Sequence, residues 1–154
     1  MCIPLGLLQC MSRRAEDRTT HHRRRRPTMK LERDGSAFGH RIDGYDEHGI
    51  RIDGRIHAAT VLVSPHALQP DFPVQSVEAL DHPAVARLLE LGPELVLIGT
   101  GARQRFPPPP LLAPLYARGI GVEIMRTSSA CRVYAVLAAE GRRVVALLFP
   151  PAQN

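Results

Sequence analysis

The segment Leu95-Val96-Leu97-Ile98-Gly99-Thr100-Gly101-Ala102-Arg103-Gln104-Arg105-Phe106 runs an apolar stretch straight into a glycine-bearing loop with two arginines. That order has a chemical meaning. In α/β sheets, ligands bind beyond the carboxyl ends of strands. Glycines there let backbone N–H groups approach an anion, and Arg103 or Arg105 can pair with it. Gly99, Thr100, Gly101, Arg103 and Gln104 are therefore candidate ligand-binding residues. The pattern stops short of a nucleotide fingerprint. No third glycine follows at dinucleotide-binding spacing, and the chain has no phosphate loop ending in Gly-Lys-Ser or Gly-Lys-Thr. A tight turn built on two glycines explains the same residues without a ligand.

A second strand end, Glu123-Ile124-Met125-Arg126-Thr127-Ser128, leads into a helix. Arg126 and Thr127 join the candidate set on one condition. The two strands must be parallel neighbours linked by one helix in a right-handed crossover, which brings both carboxyl ends to the same sheet edge. The competing readings are structural: Thr127 or Ser128 as the helix cap, and Arg126 held by Glu123 or Glu140.

The remaining reactive side chains form no catalytic set. His40, His48, His57, His66 and His82 share no metal-ligand spacing, so neither a metal nor a cofactor is expected. Ser64-Pro65-His66 offers a hydroxyl and an imidazole but no assignable acid, and reads as a surface turn. Cys131 lies on the apolar face of a helix, the setting of an inert buried thiol. No Gly-x-Ser-x-Gly elbow and no kinase motif occurs. No catalytic residue is assigned, and an enzyme is disfavoured.

The elements that must position these residues can be read from pattern. Arg41–Tyr45 and Gly49–Ile52 read as strands around a polar turn, and Asp53-Gly54 marks a hairpin leading to Arg55-Ile56-His57. Ala58–Val63 ends in an apolar run suited to burial on both faces. Pro65, Pro70 and Pro73 predict an irregular connection. Asp81-His82-Pro83 starts a helix with Val85, Leu88, Leu89 and Leu91 as its stripe, and Gly92-Pro93 stops it. Leu95–Ile98, Ile120–Ile124 and Val144–Phe149 read as strands. Leu111–Arg118 and Ser129–Glu140 read as helices, the second with Val133, Tyr134, Leu137 and Ala138 on one face and Tyr134 and Leu137 buried. Pro107–Pro110 reads as a stiff polyproline connector. Helices alternating with buried strands predict an α/β fold with helices layered on a central sheet.

Charge divides the chain. Of 154 residues, the first 28 hold seven arginines and two acids, a net of +5, while 29–154 hold 13 basic and 13 acidic residues. The overall charge of +5 therefore belongs to the leader. A neutral domain exerts no general pull on a phosphate backbone, which argues against nucleic acid as its partner. Residues 12–28 lack hydrophobic periodicity and are expected to be disordered. The leader reads as an upstream translation artefact ahead of Met29, as a basic arm, or as a targeting segment, the first being favoured by the abrupt loss of charge bias. The expected organisation is a leader, 1–28, and one domain, 29–154. No apolar run reaches membrane-spanning length, and cysteine usage fits a reducing, cytoplasmic setting.

Leu97–Gly101, Gln104–Phe106, Gly119–Thr127, Ala130–Tyr134 and Glu140–Val144, taken together, resemble the Mth938-like family of small proteins of unknown function. That family includes mitochondrial complex I assembly factor 3. The resemblance covers most of 29–154. It implies a three-layer α/β/α fold with a mixed central sheet and a β-rich N-terminal part. It also implies a non-catalytic interaction or assembly role with a protein partner. One departure is Ala135, where the family commonly has Asn. The alternative is a small-molecule or anion-binding protein or enzyme using the Gly99–Arg105 loop.

Overall fold

A computed structural model of the chain describes residues 39–151. The leader, 1–28, and Met29, where the domain is expected to begin, lie outside the described residues.

The N-terminal part is β-rich, as expected. Strands β1 (Ile42–Asp46), β2 (Gly49–Ile52) and β3 (Arg55–His57) form an antiparallel sheet in that order. The β2–β3 turn is a two-residue loop with both centres left-handed: Asp53 at φ 50° and Gly54 at φ 79°. That geometry matches the twist of paired strands, which is why Asp-Gly marks a hairpin.

The second sheet has five strands in the order β5-β4-β8-β6-β7. They are β4 (Val61–Ser64), β5 (Ala67–Gln69), β6 (Leu95–Thr100), β7 (Gly121–Met125) and β8 (Val144–Phe149). The sheet is mixed: β6 pairs in parallel with both β7 and β8, and β4 pairs antiparallel with β8. Helices α1 (His82–Glu90), α2 (Pro109–Ala117) and α3 (Thr127–Ala139) connect the later strands. Alternation along the central strands divides the core in two. Val96, Ile98, Val145, Leu147 and Phe149 pack under α1 and α2. Leu97, Val144, Ala146 and Leu148 pack under α3, together with Ile50 and Ile52 of β2. The result is the α/β fold with helices on both faces of a mixed sheet.

Two proline readings change. Pro65 does not force an irregular connection; Pro65-His66 turns the β4–β5 hairpin, with Ser64 paired to Ala67 and the Ala67 N–H donating to Ser64 Oγ at 3.0 Å. Pro fits the second position of such a turn because its φ is already set. Pro109 and Pro110 are not connector but the first turn of α2, where a missing N–H costs nothing. By contrast α1 starts as read, with Asp81 Oδ1 accepting from the Ala84 N–H at 2.9 Å.

The small sheet is tied to α3 through a polar cluster. The His40 ring donates to Asp53 Oδ2 at 2.7 Å and the Arg41 N–H to Asp53 Oδ1 at 2.9 Å. The Tyr134 hydroxyl donates to the His40 carbonyl at 3.0 Å. Burial opposes ionisation of Asp53, but the hydrogen bonds it accepts outweigh burial and lower its pKa. A lowered pKa contributes stability above the unfolded value of about 3.9 that is lost as pH falls through the folded value. Asp53→Asn keeps a residue that tolerates the left-handed turn. The variant is expected to lose stability less steeply than wild type as pH falls from about 4. Urea unfolding across the acid range checks this; parallel acid limbs would show that the carboxylate contributes nothing.

Candidate functional site

The parallel register sets Gly99 of β6 beside Met125 of β7, and Thr100 beside Phe149 of β8. The ends of β8, β6 and β7 therefore reach one edge of the sheet, and the two candidate segments meet there as expected. The chemistry at that edge differs from the expectation.

Gly99 and Thr100 are not loop residues; β6 runs through both. A Cβ on Gly99 would stand 2.9 Å from Leu148 Cδ2 and 3.0 Å from Thr127 Cα. This glycine lets the start of α3 lie close on the strand. Gly101, at φ 87°, makes the turn itself. Its N–H donates to Thr127 Oγ1 at 2.8 Å, and its carbonyl accepts the Thr127 N–H at 3.1 Å. The Thr127 hydroxyl donates in turn to the Phe149 carbonyl at 2.6 Å. Thr127 is fully buried and does not cap α3: Arg126 occupies the cap position, with no side-chain hydrogen bond there. The helix begins at Thr127, two residues before the expected Ser129, and ends at Ala139.

Thr100 is also committed inward. Its hydroxyl lies 2.7 Å from the Arg103 carbonyl and 3.2 Å from that of Met125, and accepts the Arg105 N–H at 3.2 Å. The Gln104 amide donates to the Ile124 carbonyl at 2.9 Å. Arg105 pairs with Glu78 at 3.1 Å. Of the donors expected at this edge, Thr100, Gly101, Gln104, Arg105 and Thr127 are thus held by protein acceptors. What faces outward is Arg103, Arg126 and Phe106, the last 68% exposed. Among the described residues neither Arg103 nor Arg126 has an ion-pair partner, so the pairing of Arg126 with Glu123 or Glu140 does not form. The edge thus exposes two guanidinium groups, with the exposed Phe106 ring following Arg103 by three residues.

Two cavities formed by described residues lie away from this edge. One is a cleft between β1 and α3; a larger one, about 600 Å³, is bounded by His66, Leu91, Ala138, Arg142 and Val144. Cys131 is buried, and burial pushes its thiol pKa up to about 12, which keeps it protonated and unreactive near neutral pH. Of the helix face read from sequence, Tyr134 is fully buried while Val133, Leu137 and Ala138 are half-buried. Leu137 is thus less covered than expected. Among the described residues no group of three His, Cys, Asp or Glu could hold a metal ion, and no helix is long and apolar enough to cross a membrane.

Residues 42–149 match the family model of a protein of unknown function (DUF498/DUF598). An uncharacterized protein of Rhodobacter capsulatus is 38% identical over 109 residues, covering 71% of this chain and 83% of that protein. The human NADH dehydrogenase (ubiquinone) 1 alpha subcomplex assembly factor 3 is 33% identical over 112 residues, covering 71% of this chain and 60% of that protein. A solution structure from Bordetella pertussis, described as a Mth938-like domain, superposes with a TM-score of 0.66 at 26% identity. It covers 79% of this chain and 89% of that one. This is the kinship the strand-end and helix motifs suggested.

Proposed function

We propose, for a chain that belongs to the DUF498/DUF598 family, a role as a non-catalytic interaction or assembly protein. Residues 29–154 would be its domain, and the edge carrying Arg103, Arg126 and Phe106 its docking surface. One observation carries this reading over a small-molecule site. The polar groups of the strand-end segments are spent on protein acceptors, while the cations and the aromatic ring point outward. Exposed aromatic and arginine side chains are the residue types enriched at interface cores. A relative named as a complex I assembly factor supports the same direction and suggests a respiratory-complex subunit as the partner class. The neutral charge of 29–154 disfavours nucleic acid, and the working setting under this proposal is the cytoplasm.

The test is quantitative affinity capture from native extract with wild type and with Arg103→Glu/Arg126→Glu. Both positions are exposed, so the double variant is expected to fold normally. A partner held by wild type should fall at least tenfold with the charge-reversed edge; equal recovery would remove the edge from the interface. The second reading, an anion site on the same two arginines, rests on their lack of ion-pair partners among the described residues. It predicts that a nucleotide or phosphorylated metabolite raises the melting temperature of wild type but not of Arg126→Gln.

A further inference from the structure

The cleft between β1 and the first half of α3 is built differently from the docking edge. It holds about 260 Å³ and is lined by Asp43, Gly44, Tyr45, Ser128, Arg132 and Ala135, with Ile42 and Cys131 also in its wall. That volume is below the range of about 300–1,000 Å³ usual for drug-sized ligands, so it suits a small metabolite rather than a cofactor. Each side carries one very small residue among larger ones, Gly44 on β1 and Ala135 on α3. Gly44 has no left-handed φ, and a Cβ added there would meet nothing within 4 Å. The fold therefore does not require glycine at this position; what glycine leaves is room in the cleft. Ala135 is the small residue on the α3 side. The β1–β2 register shifts between Ile42 and Gly44, an irregularity of the kind that re-aims side chains beside binding sites.

The polar groups of the cleft are one guanidinium, two hydroxyls and one carboxylate. Arg132 is exposed and has no ion-pair partner among the described residues. Ser128 and Tyr45 add hydroxyls. Asp43, the acid of the cleft, already accepts the Gly54 N–H on Oδ2 at 2.8 Å. Burial raises the Tyr45 phenol, with a further push from Cys131, and Cys131 is itself held protonated by burial. Neither adds negative charge near neutral pH.

We propose that this cleft binds a small organic carboxylate, with its anionic end on Arg132 and Ser128 and its body over Gly44 and Ala135. A guanidinium beside a hydroxyl supplies charge-assisted hydrogen bonds to a carboxylate. Among the described residues β1 is an edge strand, and its outer side gives access without movement of the fold. The site shares no residue with the Arg103–Arg126 edge.

Calorimetric titration of the full chain with succinate, and with its neutral analogue succinamide, tests the proposal. Wild type is expected to bind succinate saturably and at least tenfold more tightly than succinamide. Arg132→Gln should weaken succinate at least tenfold, while Arg118→Gln, an equal charge change at the end of α2, should not. Gly44→Val should block binding with an unchanged melting temperature. If that variant is destabilised, Ala135→Leu fills the cleft from the opposite wall and should block binding likewise. The proposal is overturned if wild type gives no saturable signal, if succinamide binds as tightly as succinate, or if Arg132→Gln and the filled variants bind like wild type.

Discussion

Thr127→Val is expected to destabilise the protein by about 2–4 kcal/mol, although the two side chains are nearly the same size. The cost comes from partners left behind, not from a cavity. Thr127 Oγ1 accepts the Gly101 N–H and donates to the Phe149 carbonyl, all in a fully buried position. Valine leaves both backbone groups without this partner, and each stranded buried group costs about 1–3 kcal/mol. The carbonyl falls at the lower end, since an oxygen has a second lone pair. Thr127→Ser keeps the hydroxyl and should recover most of the loss. The same bonds fix the end of β8 and the Gly101 turn to α3, so the valine variant should also raise amide exchange at Gly101–Arg103 selectively. Urea unfolding measures the first effect. A loss below about 0.5 kcal/mol, typical of a surface site, would mean the hydroxyl does not hold the edge together.

Tyr134→Ala should cost about 3–5 kcal/mol, the range for truncating a buried aromatic ring. Tyr134 has no exposed surface, and its ring belongs to the core that joins α3 to the central sheet and to β2. Its hydroxyl also ties down the His40 carbonyl, ahead of β1. Burial raises the pKa of its phenol, which therefore stays protonated and able to donate across the neutral range. Tyr134→Phe separates the two contributions: it should cost about 0.5–1.5 kcal/mol, the net worth of one hydrogen bond. The small sheet should loosen first, seen as faster exchange in β1 and β2 than in β6. Leu137→Ala, at a half-buried position on the same helix, should cost less than Tyr134→Ala. The opposite order would mean that the ring is not central to the packing of α3.

The layers of the fold were legible because local pattern and tertiary position share a cause. Strands buried on both faces are continuously apolar, and β4, β6 and β8 could be read from Val61–Val63, Leu95–Ile98 and Val144–Phe149. Asp53-Gly54 and Asp81-His82-Pro83 marked a turn and a helix start because left-handed φ and an N-cap each need particular residues. Pro65 and Pro109 were read less well. Proline blocks only certain hydrogen bonds, and the same residue serves a hairpin turn or a first helical turn when its N–H is not needed. The short edge strand β5 escaped for a related reason: three half-buried residues carry no periodicity.

For the strand-end site, the residue types and their right-handed connection placed Gly99–Arg105 and Met125–Thr127 at one edge without coordinates. Which way each polar group faces was beyond sequence. A threonine at the start of a helix reads the same whether it caps that helix or, as Thr127 does, pins two other strand ends. A glycine after a strand reads the same whether it admits an anion or, as Gly99 does, a helix. Donors and close approaches become specific through partners distant along the chain: Thr127 to Phe149, Gln104 to Ile124, Gly99 to Leu148. Local residue order determines which elements form and how they connect. Only the assembled core decides which polar groups are consumed within it and which, like Arg103 and Arg126, stay without an ion-pair partner among the described residues.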